Sequence, residues 1–348
     1  MNRRRISSRR AFTRIELIVV VIVLGVLLAL IPSCDIGARE AARRASCTNN
    51  LKQIGLGLHN YGLASKVLPP GTICSAAPIQ PSNQYDVWGE AGRTQPGFHG
   101  TSFLLSVSPF MEGRTAGKAW DYHYSVTGGG NASIAAADYR AFYCPTRRYT
   151  LRRGDNAMLP STTWTGGGTD YGGCAGRHAA FTLQTGYKLC DATMYYEPGF
   201  FPSPFKPKED DTPKTRWGVF GRVNVSTTYK EIRDGLSNTI ATGELQRITD
   251  VTPRSKDGWA VGGPATLFTT GALIHRSGAA TVTNVAKPGE GHLMNNGFFG
   301  SPGSDHANGA NFGMADGSVR FLSTTIDPNV FAELGSMADG GPPQGWED

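Results

Sequence analysis

The sequence predicts an α+β protein, in which a long N-terminal membrane-anchoring helix precedes a loop-rich, mainly antiparallel β head domain. Residues 17–31 are an uncharged and mostly branched apolar run, and apolar residues then recur at helical spacing to about residue 62. From residue 63 onward, short apolar runs alternate with loops rich in Gly, Pro, Ser and Asp. The 45 Gly and 21 Pro among 348 residues favour short elements over a helical bundle.

The first segment is a basic leader, residues 1–11. Its five arginines supply +5 of the formal net charge of +6, so the remaining chain carries only about +1. A basic tip of this kind is typical of the cytoplasmic flank of a membrane helix. Because the rest of the chain has no excess of basic residues to cluster into a surface, we expect no nucleic-acid partner.

The second segment is a predicted helix over residues 12–62. Phe12 to Ile31 is 20 residues, about 30 Å as a helix, which matches the apolar core of a bilayer. Leu51, Ile54 and Leu58 continue the helical spacing, and Gly62 is the first stop signal. We expect a single pass through the inner (cytoplasmic) membrane, with the C-terminal domain extracytoplasmic, that is, periplasmic.

Glu16 is a carboxylate at the start of the apolar run, where an ordinary export signal has no use for one. A cleaved secretory signal fits poorly, because Ile31 and Pro32 are unsuited to its cut site. A lipoprotein signal would end before Cys34, in "LIPSC". A plain uncleaved anchor would leave Glu16 without a role.

The stretch "RRAFTRIELIVVV" resembles the N-terminal signal of type IV prepilins and type II secretion pseudopilins. The resemblance implies that prepilin peptidase cuts between Ala11 and Phe12 and methylates the new amine. Glu16, the fifth residue of the mature chain, would then pair with the amine of a neighbouring subunit, since a charge at the membrane persists only when paired. The chain departs from the family pattern at Ala11, where Gly is usual, and at Arg14, where an apolar residue is customary.

Three later blocks resemble a pseudopilin-like family of planctomycete bacteria known as DUF1559. They are "REAARRASCTNNLKQIGLGLHNYG" with the "LPPG" that follows, "EIRDGLSNTIATGE" (231–244) and "DHANGANFGMADGSVRFLS" (305–323). The third contains a His, nine residues and then Asp-Gly. The residues carried over from the family motifs are His306, Asp316, Gly317, Asp234, Gly235 and Asn238. The resemblance implies a pilin-like head over residues 63–348, with a disordered tail from about 339.

Several motif residues have a local structural interpretation. Asp234 and Gly235 suit a tight turn, and Asp316 with Gly317 suits the turn of a hairpin between two strand-like segments. Some secretion pseudopilins bind calcium in a C-terminal loop, so Asp316 is also a candidate calcium ligand, although no EF-hand spacing is present. Apart from calcium, we expect no metal and no cofactor.

His306 has acidic neighbours in the sequence, yet no motif around it indicates catalysis. The chain contains no G-x-S-x-G and no H-E-x-x-H. We therefore expect no catalytic residues and no enzymatic activity.

The six cysteines form no C-x-x-C pair and have no zinc-like spacing to His. Two of them stand in contexts that resemble the family, "SCTNN" and "FYCP", which implies a disulfide between Cys47 and Cys144. Cys174 and Cys190 are a candidate second pair, and Cys74 is unassigned.

Together, these features predict a pseudopilin-like structural subunit that is N-terminally processed and methylated. It would be associated with a type II secretion or type IV pilus-like assembly, and its partners would be the membrane, prepilin peptidase, and other pseudopilin subunits or the secretion platform. The alternative is a membrane-anchored extracytoplasmic ligand-binding protein, for example for polysaccharide, or a hydrolytic one. Trp88, Trp120, Trp164 and Trp259 could stack on sugars, although tryptophans of a turn-rich domain are more often part of its core.

Overall fold

The computed structural model describes residues 12–30, 35–77, 84–111, 119–177, 189–190, 217–249, 254–271, 274–275, 284–285 and 293–340. Contacts between residues divide the chain into two units, Met1–Arg43 and Arg44–Asp348. The second unit therefore includes residues 44–62, which the sequence analysis assigns to the N-terminal helix.

The first unit contains helix α1 (Arg14–Leu30) and the start of helix α2 (Asp35–Ser65). A capping box begins α1: the Thr13 N–H donates to Glu16 Oε2 at 2.8 Å, and the Glu16 N–H donates to Thr13 Oγ1 at 3.3 Å. These two bonds satisfy backbone donors that have no partner within a helix. Glu16 therefore helps to determine where the helix starts.

The helix predicted over residues 12–62 is described in two parts, α1 with 17 residues and α2 with 31, and residues 31–34 between them lie outside the described residues. The first turns of α2 carry charged residues, among them Arg39, Glu40 and Arg43. Among the described helices, none combines the length and the apolar character needed to cross a membrane. The leader and Ala11 lie outside the described residues.

In the second unit, one face of α2 is part of the core. Leu51 and Ile54 are fully buried and Leu58 nearly so, which confirms the helical spacing predicted for them. The helix continues three residues beyond the predicted stop at Gly62. It ends at Ser65 because Lys66 adopts a left-handed conformation, with φ of 66°.

The strands of the described residues are short and lie in four sheets. They are β1 (Thr72–Ile73), β2 (Gln84–Tyr85), β3 (Thr101–Ser102), β4 (Tyr171–Cys174), β5 (Leu189–Cys190), β6 (Ile240–Glu244), β7 (Leu267–Phe268), β8 (Ile274–His275), β9 (Asn284–Val285), β10 (Gly309–Met314) and β11 (Val319–Ser323). The largest sheet has the order β11-β10-β6-β4-β7. Its pairs are antiparallel except β4–β7, which is parallel, so the fold is α+β with a mixed sheet.

The described residues also form four short α-helices, α3 (Val87–Ala91), α4 (Phe103–Val107), α5 (Asn131–Ala135) and α6 (Pro328–Gly335), and several 3-10 helices. The N-cap of α6 is Asp327, whose carboxylate accepts the N–H groups of Asn329 and Val330. Pro328 suits the first position of the helix, because the amide hydrogen that it lacks would have no helical partner there.

Aromatic rings lie directly against the central strands of the large sheet. A Cβ on Gly173 in β4 would lie 2.5 Å from the Phe220 ring, and a Cβ on Gly243 in β6 would lie 2.6 Å from the Phe312 ring. Both distances are too short for any side chain, so glycine is required for close packing rather than for flexibility.

The β10–β11 hairpin confirms the turn predicted from "ADGS". The Met314 N–H donates to the Ser318 carbonyl at 2.8 Å, and the Gly317 N–H donates to the Met314 carbonyl at 2.9 Å. Gly317 has φ of 85°, a conformation that favours glycine. The Asp316 carboxylate accepts the Ser318 N–H at 2.8 Å, which is the bonding expected of a turn residue.

Candidate functional site

Four side chains of different parts of the second unit meet in its interior. They are Cys47 of α2, Cys144 of the loop after a 3-10 helix (Arg140–Phe142), Glu244 at the end of β6 and His306 just before β10. Their sulfur, nitrogen and oxygen atoms all lie within 4.8 Å of one another, and every one of the four residues is buried. We refer to them as the Cys–His–Glu cluster.

Three short distances connect the cluster. The Sγ atoms of Cys47 and Cys144 are 3.0 Å apart, and Cys144 Sγ is 3.6 Å from His306 Nε2. The same His306 nitrogen is 3.3 Å from Glu244 Oε1. Two thiols, an imidazole and a carboxylate therefore face one another across one small volume.

Surrounding residues hold each member in place. Thr146 Oγ1 lies 3.2 Å from His306 Nδ1, which leaves the other ring nitrogen facing the cluster. Asn311 donates to Glu244 Oε2 from its backbone N–H at 2.6 Å and from its side-chain amide at 2.9 Å. Glu244 Oε1 has no hydrogen-bond partner among the described residues. A buried carboxylate oxygen without a donor is uncommon, because its desolvation is not compensated.

The surroundings of the cluster favour the neutral form of the Cys144 thiol, because the contact with Cys47 and burial both raise the pKa of Cys144. Burial also raises the pKa of Tyr171, whose hydroxyl accepts the side-chain amide of Asn50 beside the cluster at 3.1 Å. Removal from water disfavours the charged form of a thiol or a phenol.

The predicted disulfides are not formed. Cys47 and Cys144 lie together as predicted, but they are free thiols, and their 3.0 Å separation exceeds the ~2.0 Å of a disulfide. Cys174, in β4 of the large sheet, is also a free thiol, and it donates to the Gly335 carbonyl at 3.5 Å. Its candidate partner Cys190 belongs to β5, which pairs with β2 in a different sheet, and the side chain of Cys190 lies outside the described residues.

Three of the four cluster residues lie in the blocks that resemble DUF1559. Cys47 belongs to the first block, Glu244 ends the second, and His306 is the second residue of the third, while Cys144 lies outside the three blocks. A family model described as "Protein of unknown function (DUF1559)" matches residues 37–329. The chain belongs to the DUF1559 family. No curated protein and no solved structure matches it. The matched range leaves Phe12 and Glu16 outside, so the prepilin-like segment is not part of the family match.

Glu244 was not predicted as a site residue of this DUF1559 chain. It is the last residue of the motif block "EIRDGLSNTIATGE", but no local pattern indicates that its carboxylate faces a histidine 62 positions later.

The capping role of Glu16 was not predicted either, although a local pattern indicates it. The residues "TRIE" have the T-x-x-E pattern of a capping box.

A buried ionic cluster lies next to the Cys–His–Glu cluster. Asp170 connects the two, because one of its carboxylate oxygens accepts the Cys144 N–H at 3.0 Å while the other lies 2.7 Å from Arg148 Nη2. Arg148 also bonds Asp155 at 2.9 Å and Asp257 at 2.8 Å. Burial would lower the pKa of Arg148, but the Asp170 and Asp257 carboxylates outweigh it and raise that pKa well above its usual range.

The second motif block forms a turn, as predicted. Gly235 has φ of 99°, and the Asn238 side-chain amide donates to the Asp234 carbonyl at 3.2 Å. The Asp234 carboxylate accepts the N–H groups of Asp339 at 2.9 Å and Gly340 at 3.1 Å. Asp234 therefore holds the first two residues of the predicted tail, which are described, while 341–348 are not.

The described residues also bear on two predictions from the sequence, calcium binding by Asp316 and sugar stacking by the four tryptophans. Asp316 belongs to no group of His, Cys, Asp or Glu side chains close enough to hold a metal ion. Trp259 and Trp120 are buried, and Trp88 and Trp164 are partly buried against the core. Trp259 and Trp120 therefore belong to the core, whereas Trp88 and Trp164 keep part of their surface exposed, and sugar stacking by these two stays a prediction.

Proposed function

We propose that this DUF1559 chain is a pseudopilin-like structural subunit that is anchored in the cytoplasmic membrane by its N-terminal segment. It would be cut by prepilin peptidase, methylated at the new amine, and associated with a type II secretion or type IV pilus-like assembly. The large C-terminal unit would then lie on the extracytoplasmic side of the membrane.

The observation that carries the proposal is the exposure of α1. Its large apolar side chains from Ile15 to Val26 are between 46% and 74% exposed, and Phe12 before it is 80% exposed. A helix that is apolar on all sides is stable only when lipid or other apolar helices surround it. Among the described residues of its own unit, nothing covers these α1 side chains. Lipid together with the equivalent helices of other subunits would cover them.

The position of Glu16 supports an assembly role. Its carboxylate accepts the Thr13 N–H, so it faces the N-terminal end of α1, one residue from Phe12. A cut before Phe12 would create an ammonium group at that end, and a neighbouring subunit could present its own ammonium group to the same carboxylate. Pairing would remove the cost of holding either charge at the edge of an apolar layer.

The proposal is tested by mass spectrometry of the N-terminus of the full chain, isolated from membranes that contain an active prepilin peptidase. We expect a mature chain that starts at N-methylated Phe12, and the uncut chain in membranes without the peptidase. Ala11→Gly should raise the processed fraction, because it restores the residue usual before the cut. A chain that still starts at Met1 beside active peptidase, or at a lipidated Cys34, would overturn the proposal.

Glu16→Gln provides a matched variant for the assembly step. Glutamine is also accepted in a capping box, so the start of α1 should be preserved while the charge is lost. We expect normal cutting but loss of the crosslinks between subunits that the wild-type chain forms in membranes. Unchanged crosslinking would show that the carboxylate has no part in assembly.

A further inference from the structure

We propose that the Cys–His–Glu cluster is a structural zinc site, with Cys47 Sγ, Cys144 Sγ, His306 Nε2 and a Glu244 oxygen as its four ligands. The inference does not depend on the pseudopilin proposal, because it concerns only the second unit. It differs from the sequence expectation, in which the two cysteines form a disulfide.

The kind of donor atoms indicates the metal. Thiolate and imidazole ligands prefer Zn²⁺ over the hard cations Ca²⁺ and Mg²⁺, which take oxygen ligands. The four side chains converge from positions 47, 144, 244 and 306, and their ligand atoms all lie within 4.8 Å of one another. Four ligands suffice for a closed tetrahedral site, the usual form of a structural zinc.

His306 and Glu244 are the residues that separate a zinc site from a disulfide. A disulfide would use only the two sulfurs, and it would not explain why the imidazole and the carboxylate are buried directly beside them. Glu244 is 1% exposed and its Oε1 has no hydrogen-bond partner among the described residues, although it lies 3.3 Å from the His306 ring. A cation between these atoms would compensate the buried oxygen.

The groups around the cluster are those that a bound cation needs. A histidine that binds a metal commonly donates its other ring N–H to a neighbouring oxygen, and Thr146 Oγ1 lies 3.2 Å from His306 Nδ1. The Glu244 oxygen that does not face the cluster is held by Asn311. Arg147 donates to the Leu245 carbonyl, directly after Glu244, and its positive charge interacts with Cys144.

Zinc binding requires a small adjustment of the thiols. Two sulfurs bound to one zinc at about 2.3 Å are ~3.8 Å apart in tetrahedral geometry, against 3.0 Å between Cys47 and Cys144. Rotation of the two side chains would supply the difference. The ion would then connect α2, the 140–147 loop, β6 and the segment before β10.

The test uses the full chain, reduced and freed of metal, and titrated with Co²⁺ and then Zn²⁺. Co²⁺ bound by thiolates gives a charge-transfer absorption in the near ultraviolet, which Zn²⁺ should displace, at about one ion per chain. Cys47→Ser and Glu244→Gln should each weaken zinc binding by roughly 10-fold or more, since loss even of a group that only supports a ligand costs 10- to 100-fold. Cys174→Ser is the matched control, because it removes a buried free thiol elsewhere, and it should bind like the wild type.

The wild-type chain by itself decides the outcome if a variant fails to fold. Stoichiometric zinc with the thiolate absorption supports the proposal. A reduced wild-type chain that takes up no zinc overturns it, whether or not peptide mapping finds a Cys47–Cys144 disulfide in the chain as isolated. Zinc uptake that is the same in Cys47→Ser would also overturn it, because the ion would then be bound elsewhere.

Discussion

Glu90 is a buried carboxylate that is surrounded by donors. It accepts the Ser75 N–H at 2.7 Å, the His99 N–H at 2.8 Å and the Cys74 thiol at 2.5 Å. Burial would raise the pKa of Glu90, but these hydrogen bonds outweigh it and hold the pKa below its usual value. The ionised carboxylate thus fastens two loop segments, one at Cys74 and Ser75 and one at His99, to α3.

We expect Glu90→Gln to lower the free energy of unfolding at pH 7 by roughly 1–3 kcal/mol, because an amide NH₂ cannot accept the backbone N–H groups. The folded pKa of Glu90 lies below the unfolded one, so its stabilisation is fully present above about pH 4.3 and is lost as the pH falls through the folded pKa. The difference between wild type and variant should therefore shrink in acid. Urea unfolding of the full chain at several pH values measures it.

Glu40→Gln is the control for this experiment. Glu40 pairs with Arg43 one turn later on the surface of α2, and such pairs contribute only ~0.5 kcal/mol or less. A Glu90→Gln effect that stayed the same from neutral to acidic pH would contradict the assignment of an ionised, hydrogen-bonded carboxylate.

At the scale of elements, α2 lies directly against the β10–β11 turn. A Cβ on Gly55 would lie 3.3 Å from Gly317 Cα, and a Cβ on Gly317 would lie 3.3 Å from the His59 ring. The helix and the hairpin therefore touch almost backbone to backbone. This contact explains why a glycine of the third motif block faces a glycine of the first.

Gly317→Ala should destabilise the chain for two reasons. Alanine is strained by roughly 1–2 kcal/mol in the left-handed region, and its methyl group would crowd His59. Gly97→Ala separates the two effects, since Gly97 has φ of 90° but nothing within 4 Å of its would-be Cβ. We expect Gly317→Ala to cost at least about 1 kcal/mol more than Gly97→Ala, as overpacking commonly does. If thermal or urea unfolding showed equal losses of stability for the two variants, His59 and α2 would be able to move away from the added methyl group without cost.

At the scale of the whole molecule, the buried ionic cluster connects segments far apart in the chain. Arg148 bonds Asp155 in the same loop, Asp170 before β4 and Asp257 before β7, and its side chain is fully buried. Arg247 lies 3.4 Å from Asp257 as well, and burial lowers the pKa of its guanidinium. Ion pairs, rather than apolar side chains, therefore join these loops where they meet in the interior.

Arg148→Met should cost roughly 3–5 kcal/mol, because it leaves buried aspartates without their counter-ion. Arg152→Met is the matched control: Arg152 also pairs with Asp155, at 3.4 Å, but is half exposed, so its loss should cost at most ~1 kcal/mol. Denaturant unfolding of the two variants compares them directly. Similar losses for both would contradict a structural role for the buried network.

Much of the local structure could be predicted from the sequence. The spacing of Leu51, Ile54 and Leu58 indicated the buried face of α2, and Asp316-Gly317 indicated a hairpin turn, because periodicity and turn chemistry depend on neighbouring residues. The single helix over residues 12–62 stays a prediction, because residues 31–34 lie outside the described residues, and the parallel β4–β7 pair was not anticipated. Strand partners depend on packing that no local pattern encodes.

What the sequence by itself determined was the family and the α+β class, since blocks of residues and their periodicity are properties of the linear chain. Only the tertiary structure decided which side chains share a site. Cys47 and Cys144 are separated by 97 positions, and Cys144 and His306 by 162, so neither zinc-like spacing nor a motif could reveal the cluster. Packing of α2 against the rest of the second unit brings the four residues together. Because it places the Glu244 carboxylate and the His306 imidazole beside the two thiols, the predicted disulfide becomes a candidate zinc site.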